Sequence, residues 1–120
     1  MIVKVVHFDN ETGKFEAVAL VNVPKHQLGF NGPDQDACEY AFARTQNIFG
    51  SWSKGPTFED GEHNEDFSEN VEVIAPLPVH LGRTLGHRSS MIGDLFVVNG
   101  NIYMCDTFGF KLYEGETVNV

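Results

Sequence analysis

The chain has 120 residues, which fits one domain, residues 1–120, and leaves little room for a second. Its formal net charge of −9 would repel phosphate backbones and anionic membranes, so direct binding to nucleic acid or to a membrane surface is not expected. No apolar run approaches the roughly 20 residues of a membrane-spanning helix, and the N-terminal residues lack a signal-peptide pattern. A cytoplasmic location is therefore expected, with both cysteines, Cys38 and Cys105, free and buried.

The first predicted element is an antiparallel hairpin. Ile2–Phe8 and Phe15–Val23 are both rich in β-branched residues, which favour strands. The Asp, Asn and Gly residues between them are typical of a short turn. Pro24 and the Gly29–Pro33 stretch then predict a loop.

One strong helix is predicted over residues 34–49. Pro33 suits the first helical position, Asp34 and Asp36 favour the helix dipole in the first turn, and Gly50 ends the pattern. The helical spacing places five side chains on one face: Cys38, Ala41, Phe42, Thr45 and Phe49. We expect this face to lie against a sheet, with Ala41 and Phe42 buried.

The segment that follows the helix is acidic and has few apolar anchors. Residues 53–70 carry six acidic side chains and no Lys or Arg after Lys54, which predicts a long surface loop. Carboxylates at 59–66 could attract Ca²⁺, but the order of ligands in an EF-hand is missing, so a solvated charged loop is the preferred interpretation.

The C-terminal half predicts more strands. Val71–Ala75 forms one, and the Asn-Gly pair at 99–100 predicts a tight hairpin between Leu95–Val98 and Asn101–Cys105. Phe108–Tyr113 predicts a last short strand, on which Phe108 and Phe110 would share a face, and the tail from 114 to 120 is expected to fray. Together the elements predict an α+β fold, a small and mostly antiparallel sheet with one main helix packed on a face.

Catalytic and metal motifs are not found in the sequence. The histidines lack the spacing of a zinc pair; His80, His87 and Cys105 could meet only through the fold, so no metal and no cofactor is expected. Ser89 and Ser90 lie near His87 and Asp94, but there is no G-x-S-x-G elbow, and no catalytic residue is predicted.

Arg88 and Asp94 are predicted to form a charged pair that fixes the entry to the C-terminal hairpin. They flank a turn at Gly93 that opens the strongest predicted hairpin. If their role is structural, Arg88 should be at least half buried and bonded to Asp94 or to turn carbonyls. If they serve a site, the guanidinium should point into a pocket with His87 or Ser89. The structural role is favoured.

Two segments resemble a group of small proteins encoded by phages and plasmids, the YodL-like group. Its C-terminal half reads R-S-x-S-V-G-D, then a hydrophobic hairpin, then G-F or G-W; here Arg88-Ser-Ser-Met-Ile-Gly-Asp94 and Gly109-Phe110 match it. Residues 41–48 and Trp52 resemble the group's A-F-x-x-T-N-x-I-x-x-x-W segment. Met91 and Ile92 stand where the group usually has Ser and Val, and Gln46 separates Thr45 from Asn47. The resemblance covers roughly 35 residues and implies a viral or mobile-element origin, not an activity.

Three functions are compatible with these patterns. The preferred hypothesis is a phage or mobile-element accessory protein that binds a host or viral protein, with Trp52 and its flanking aromatics as anchors. A second is an acidic mimic of nucleic acid that blocks a DNA-binding host enzyme. A third is a nucleotide- or phosphate-binding protein or enzyme that uses Arg83, His87, Arg88 and Ser89. The candidate binding residues are Trp52, Arg83, His87, Arg88, Ser89, Asp94, Phe108 and Phe110.

Overall fold

The fold was obtained as a computed structural model, which describes residues 1–115. In chain order its helix and strands are β1 Ile2–Asp9, β2 Lys14–Asn22, α1 Pro33–Arg44, β3 Val71–Val73, β4 Val79–His80, β5 Arg83–Thr84, β6 Leu95–Val98, β7 Asn101–Asp106 and β8 Gly109–Leu112. A 3-10 turn, Lys25–Gln27, precedes α1. Residues 116–120, most of the tail that was expected to fray, lie outside the described part.

Six strands form one antiparallel sheet in the order β3-β2-β1-β6-β7-β8, and β4 and β5 form a separate two-stranded ribbon. The fold is therefore α+β, as predicted, with α1 packed on one face of the larger sheet. The Asn-Gly hairpin is confirmed: Asn99 and Gly100 both have positive φ, at 53° and 79°. The first hairpin is also confirmed, with a register shift between Val5 and Val6.

The core lies between α1 and the sheet. Ala37, Cys38 and Ala41 of the helix are buried against strand residues that include Val5 and Phe96. Small helix residues let α1 approach the sheet closely, and the Phe96 ring fills the remaining space, with ring centroids 5.1 Å from Phe110 and 6.3 Å from Phe42. Both cysteines are buried and free, as expected, and burial raises the pKa of the Cys38 thiol to about 12.

The helix is shorter than predicted. It ends at Arg44, because Thr45 has φ −114° and ψ 41°, outside the helical conformation, and its N–H donates to the Phe42 carbonyl. The Thr45 hydroxyl takes up the Ala41 carbonyl instead, and the next backbone N–H groups leave the helical pattern. Asn47 N–H donates to Ser89 Oγ, and the N–H groups of residues 48–50 donate to Asp66. Phe49 consequently is 79% exposed and not on the buried face, while Phe42 is partly buried.

Two strand boundaries also differ from the prediction. β3 ends at Val73 and does not reach Ala75. β8 begins at Gly109, so Phe108 belongs to the preceding turn and is 96% exposed, whereas Phe110 packs on the core. The expectation that the two rings share a face was wrong. A two-residue turn, residues 107–108, follows Asp106 at the end of β7, and β8 then begins at Gly109, which has φ 81°.

The acidic loop, residues 53–70, contains neither helix nor strand, only an isolated bridge between Thr57 and His63. Asn64, which is 1% exposed, organises it: its amide donates to the carbonyls of Ser51 and Gly55, and its oxygen accepts from Ser51 N–H. Among residues 1–115, no helix is long and apolar enough to cross a membrane.

Replacing Phe96 by Ala should lower the free energy of unfolding by about 3–5 kcal/mol, because it leaves a cavity between α1 and the sheet. Chemical denaturation of the purified variant measures the change. Phe108→Ala is the matched control, since its ring is almost fully exposed and its loss should change stability by no more than about 0.5 kcal/mol. Equal stability of the two variants would contradict this description of the core.

Candidate functional site

The Asp94 carboxylate joins three segments at one end of the sheet. The two Arg88 guanidinium nitrogens each donate to one Asp94 oxygen, both at 2.8 Å. The carboxylate also accepts from the backbone N–H of Phe8 at 2.9 Å and of Met91 at 2.8 Å. Asp94 is 1% exposed and the Arg88 side chain 39% exposed. The guanidinium donates further to the Phe8 and Ser89 carbonyls, so the contacts expected for a structural pair are present.

A chain of hydroxyl groups runs from this pair to the end of the helix. The Thr45 hydroxyl donates to the Ala41 carbonyl at 2.8 Å, so in its contact with Ser90 Oγ, at 2.7 Å, Thr45 is the acceptor. The Ser90 hydroxyl therefore donates its hydrogen to Thr45 Oγ1. The Ser90 oxygen must then accept from His7 Nε2, at 2.9 Å. The neutral His7 ring is therefore protonated on Nε2, and its Nδ1 is an acceptor.

Burial lowers the pKa of His7 to about 4, so the ring is neutral at pH 7, although Asp94 nearby partly opposes the shift. His7 Nε2 lies 2.9 Å from Ser90 Oγ and 3.9 Å from Asp94 Oδ2, so the serine and the carboxylate approach the same nitrogen. A catalytic triad requires the acid on the opposite ring nitrogen. With Ser90 only 3% exposed as well, this Ser-His-Asp group is a structural network.

Trp52 is buried and contacts two histidine rings. It is 1% exposed, which overturns its expected role as an exposed anchor. Its ring stacks on His87 at 5.9 Å and meets His7 edge-on at 6.0 Å, while its N–H donates to the Arg88 carbonyl. An indole that faces the core on one side and finds a carbonyl for its N–H is a stable buried arrangement.

A surface groove of about 550 Å³ lies beside this histidine pair. Its charged and imidazole members are His7, Asp9, Glu11, Glu16, His87 and Arg88. Apolar walls come from Phe8, Val18, Pro76 and Pro78. The groove is wide enough for a small ligand or for a side chain of another molecule.

The residues expected to bind phosphate do not converge. Arg83 lies on the exposed β4–β5 ribbon, beside Lys54 and Asp60, away from the groove. Arg88 is occupied by Asp94, and Ser89 Oγ accepts from Asn47 N–H. His87 is 7% exposed, and its Nε2 donates to the Ala75 carbonyl at 3.2 Å.

Large apolar side chains are exposed on two loops that lie side by side next to this network. Ile48 is 67% exposed, Phe49 79%, Met91 48% and Ile92 59%. These two pairs of neighbouring residues, one pair on each loop, flank the joined segments and are together called the apolar patch. The loops are joined because Ser90 N–H donates to the Thr45 carbonyl and the Gln46 amide donates to the Ser90 carbonyl. The patch thus rests on backbone that is fixed from within.

Asp66 fixes the first of these loops. One oxygen of its carboxylate accepts from the backbone N–H groups of Ile48, Phe49 and Gly50, at 2.8 and 2.9 Å for the first two. Asp36, in the first turn of α1, likewise accepts from the backbone N–H groups of residues 29–31, in the loop before the helix. Successive N–H groups that point at one carboxylate hold a loop in a single conformation.

Sequence reasoning missed His7, Asp66 and the apolar patch. His7 could have been found, because the two-residue period of β1 places it on the same side as the buried Val3 and Val5. Nothing in the sequence distinguishes Asp66 from the other acids of its loop.

The sequence was compared with models of protein families, with curated proteins and with solved structures, and none matches. Within residues 1–115, no three His, Cys, Asp or Glu side chains come together as a possible metal site.

Replacing Asp94 by Asn should lower the free energy of unfolding by about 3 kcal/mol, because it removes the charged partner of a partly buried guanidinium and leaves one acceptor oxygen where the backbone N–H groups of Phe8 and Met91 now have two. Chemical denaturation measures the loss. Asp106→Asn, which breaks the exposed pair with Lys111, is the control and should change stability little. A stable Asp94→Asn variant would refute the structural role.

The pH dependence of stability should reveal His7. Its pKa is lower in the folded chain than the ordinary 6.5, so its contribution is complete above about pH 6.5 and is lost as the pH falls towards 4, by up to about 3 kcal/mol. Denaturation of the wild type and of His7→Gln across this range isolates the effect, since the variant lacks the titrating group. A difference between the two that is constant with pH would contradict the burial of a neutral ring.

Proposed function

We propose that this protein acts by binding another protein through the apolar patch, residues Ile48, Phe49, Met91 and Ile92. The observation that supports the proposal is the exposure of these side chains on loops whose backbone is held by Asp66 and Ser90. Single large apolar side chains are exposed on every protein. A group of them on rigid backbone is different, because the backbone has already lost the conformational entropy that binding would otherwise remove.

Phe108 extends the same end of the molecule. The Gly93 N–H donates to the Cys105 carbonyl, which places the Met91–Gly93 loop beside the end of β7, and Phe108 follows in the β7–β8 turn with 96% of its side chain exposed. Aromatic and large aliphatic side chains anchor protein interfaces. Phe108 thereby keeps its place among the candidate binding residues, whereas Trp52 is buried and Phe110 packs on the core.

The resemblance to phage- and plasmid-encoded proteins supports a host or viral protein as the partner, in a role accessory to a mobile element. The mimicry of nucleic acid is less favoured, since several of the carboxylates are engaged by the fold's own N–H groups, as Asp36, Asp66 and Asp94 are. A mimic needs its charges free and spread over the surface.

Affinity purification of the tagged protein from host cells, with mass spectrometry, tests the proposal. Phe49→Asp combined with Ile92→Asp should abolish recovery of a partner that the wild type captures, because two charges would be buried in an apolar interface. The unfolding midpoint should be unchanged, since both residues are exposed.

The matched control is Val79→Asp combined with Leu81→Asp, which adds the same charge at exposed positions of the β4–β5 ribbon. This variant should retain the partner. Recovery of the same proteins with the patch variant as with the wild type, or loss of the partner from both variants, would contradict the proposal.

A further inference from the structure

The groove beside Trp52 presents two buried imidazoles to its interior. His7 and His87 are each 7% exposed, and both line the groove. The Nε2 of His7 donates to Ser90, and the Nε2 of His87 donates to a carbonyl oxygen, which has no proton to give. In the neutral form of each ring, Nδ1 is therefore an acceptor, and among residues 1–115 neither Nδ1 has a hydrogen-bond partner.

Carboxylates surround these two acceptors. Glu16 lies directly opposite His7 in the β1–β2 register, so the two side chains project from the same face of the sheet. Asp9 and Glu11 come from the adjoining turn. The fourth charged group, the Arg88 guanidinium, is held by Asp94 and by backbone carbonyls, so its positive charge is already neutralised.

The carboxylates of the groove and the two Nδ1 atoms are thus hydrogen-bond acceptors. The one charged donor, Arg88, is already bonded to Asp94 and to backbone carbonyls. With the Arg88 charge neutralised by Asp94, the remaining charged groups of the lining are Asp9, Glu11 and Glu16, which together carry a charge of −3. Pro76 and Pro78 add apolar wall. A donor-rich cationic head on an aliphatic stem matches such a lining, because the stem can lie on apolar surface while the head meets the acceptors.

We propose that this groove binds a guanidinium or primary ammonium group, with Glu11, Glu16 and the Nδ1 atoms of His7 and His87 as its acceptors. The cation comes either from a basic side chain of another polypeptide or from a free small-molecule cation. The groove does not share residues with the apolar patch, so this inference stands independently of the function proposed above.

Titration of ¹⁵N-labelled protein with butylguanidine, a guanidinium on a short aliphatic stem, tests the proposal at pH 7. The side-chain ¹⁵N signals of unprotonated Nδ1 in His7 and His87 should move with a common saturation curve, because both nitrogens gain a donor. Glu11→Gln combined with Glu16→Gln should raise the dissociation constant about tenfold, through the loss of two charges.

The matched control is Glu62→Gln combined with Glu72→Gln, which makes the same change of net charge at exposed positions outside the groove. It should leave the dissociation constant within about twofold. The proposal is overturned if neither Nδ1 signal responds, or if the two pairs of substitutions weaken binding equally, which would indicate general attraction to an acidic protein.

The source of the cation is resolved by repeating the titration with the capped tripeptide acetyl-Gly-Arg-Gly-amide. Tighter binding of the tripeptide than of butylguanidine, which has the same charge, assigns the groove to an arginine side chain of a polypeptide. Equal or weaker binding of the tripeptide assigns it to a free small-molecule cation. A complete failure of both probes to shift His7 and His87 contradicts the cation site itself.

Discussion

The buried Asp94 carboxylate is the contact on which this end of the molecule depends. It holds the Arg88 guanidinium through both oxygens and accepts from the backbone of β1 at Phe8 and of the adjoining loop at Met91. Without it, the loop that carries Ser89 to Ile92 would be held against β1 only by the Ser90–His7 hydrogen bond and by the bond from Arg88 to the Phe8 carbonyl. The hydroxyl chain from His7 to the helix end, the Trp52 site and the patch beside it all rely on the position of this loop.

Asp94 is one of three carboxylates that work in the same way. Asp36 accepts from the loop before α1, and Asp66 from the loop after it. In each case, backbone N–H groups that are not bonded within a helix or a strand donate to one carboxylate. This fixes irregular backbone without requiring much apolar burial. Some acidic residues of this chain therefore anchor loops inside the fold, and the net charge of −9 does not come from surface residues alone.

The sequence predicted the regular elements well because their signals are local. The Asn99-Gly100 turn and the β-branched strands depend on neighbours in the chain. The end of the helix could not be predicted, because Gln46 to Phe49 leave it for partners 17 or more residues away, at Ser89, Ser90 and Asp66. Trp52 was assigned to the surface for the same reason: only the fold brings His7 and His87 into contact with its ring.

Amide hydrogen exchange at Phe8, Ile48, Phe49 and Met91 tests the central claim most directly. The last three N–H groups lie in loops, where exchange is normally fast, and all four donate to a buried or partly buried carboxylate. If Asp66 and Asp94 anchor this end of the molecule, these amides should be protected to nearly the level of the central strands. Exchange of the Ile48, Phe49 and Met91 amides at the rate of an unstructured chain would contradict the account.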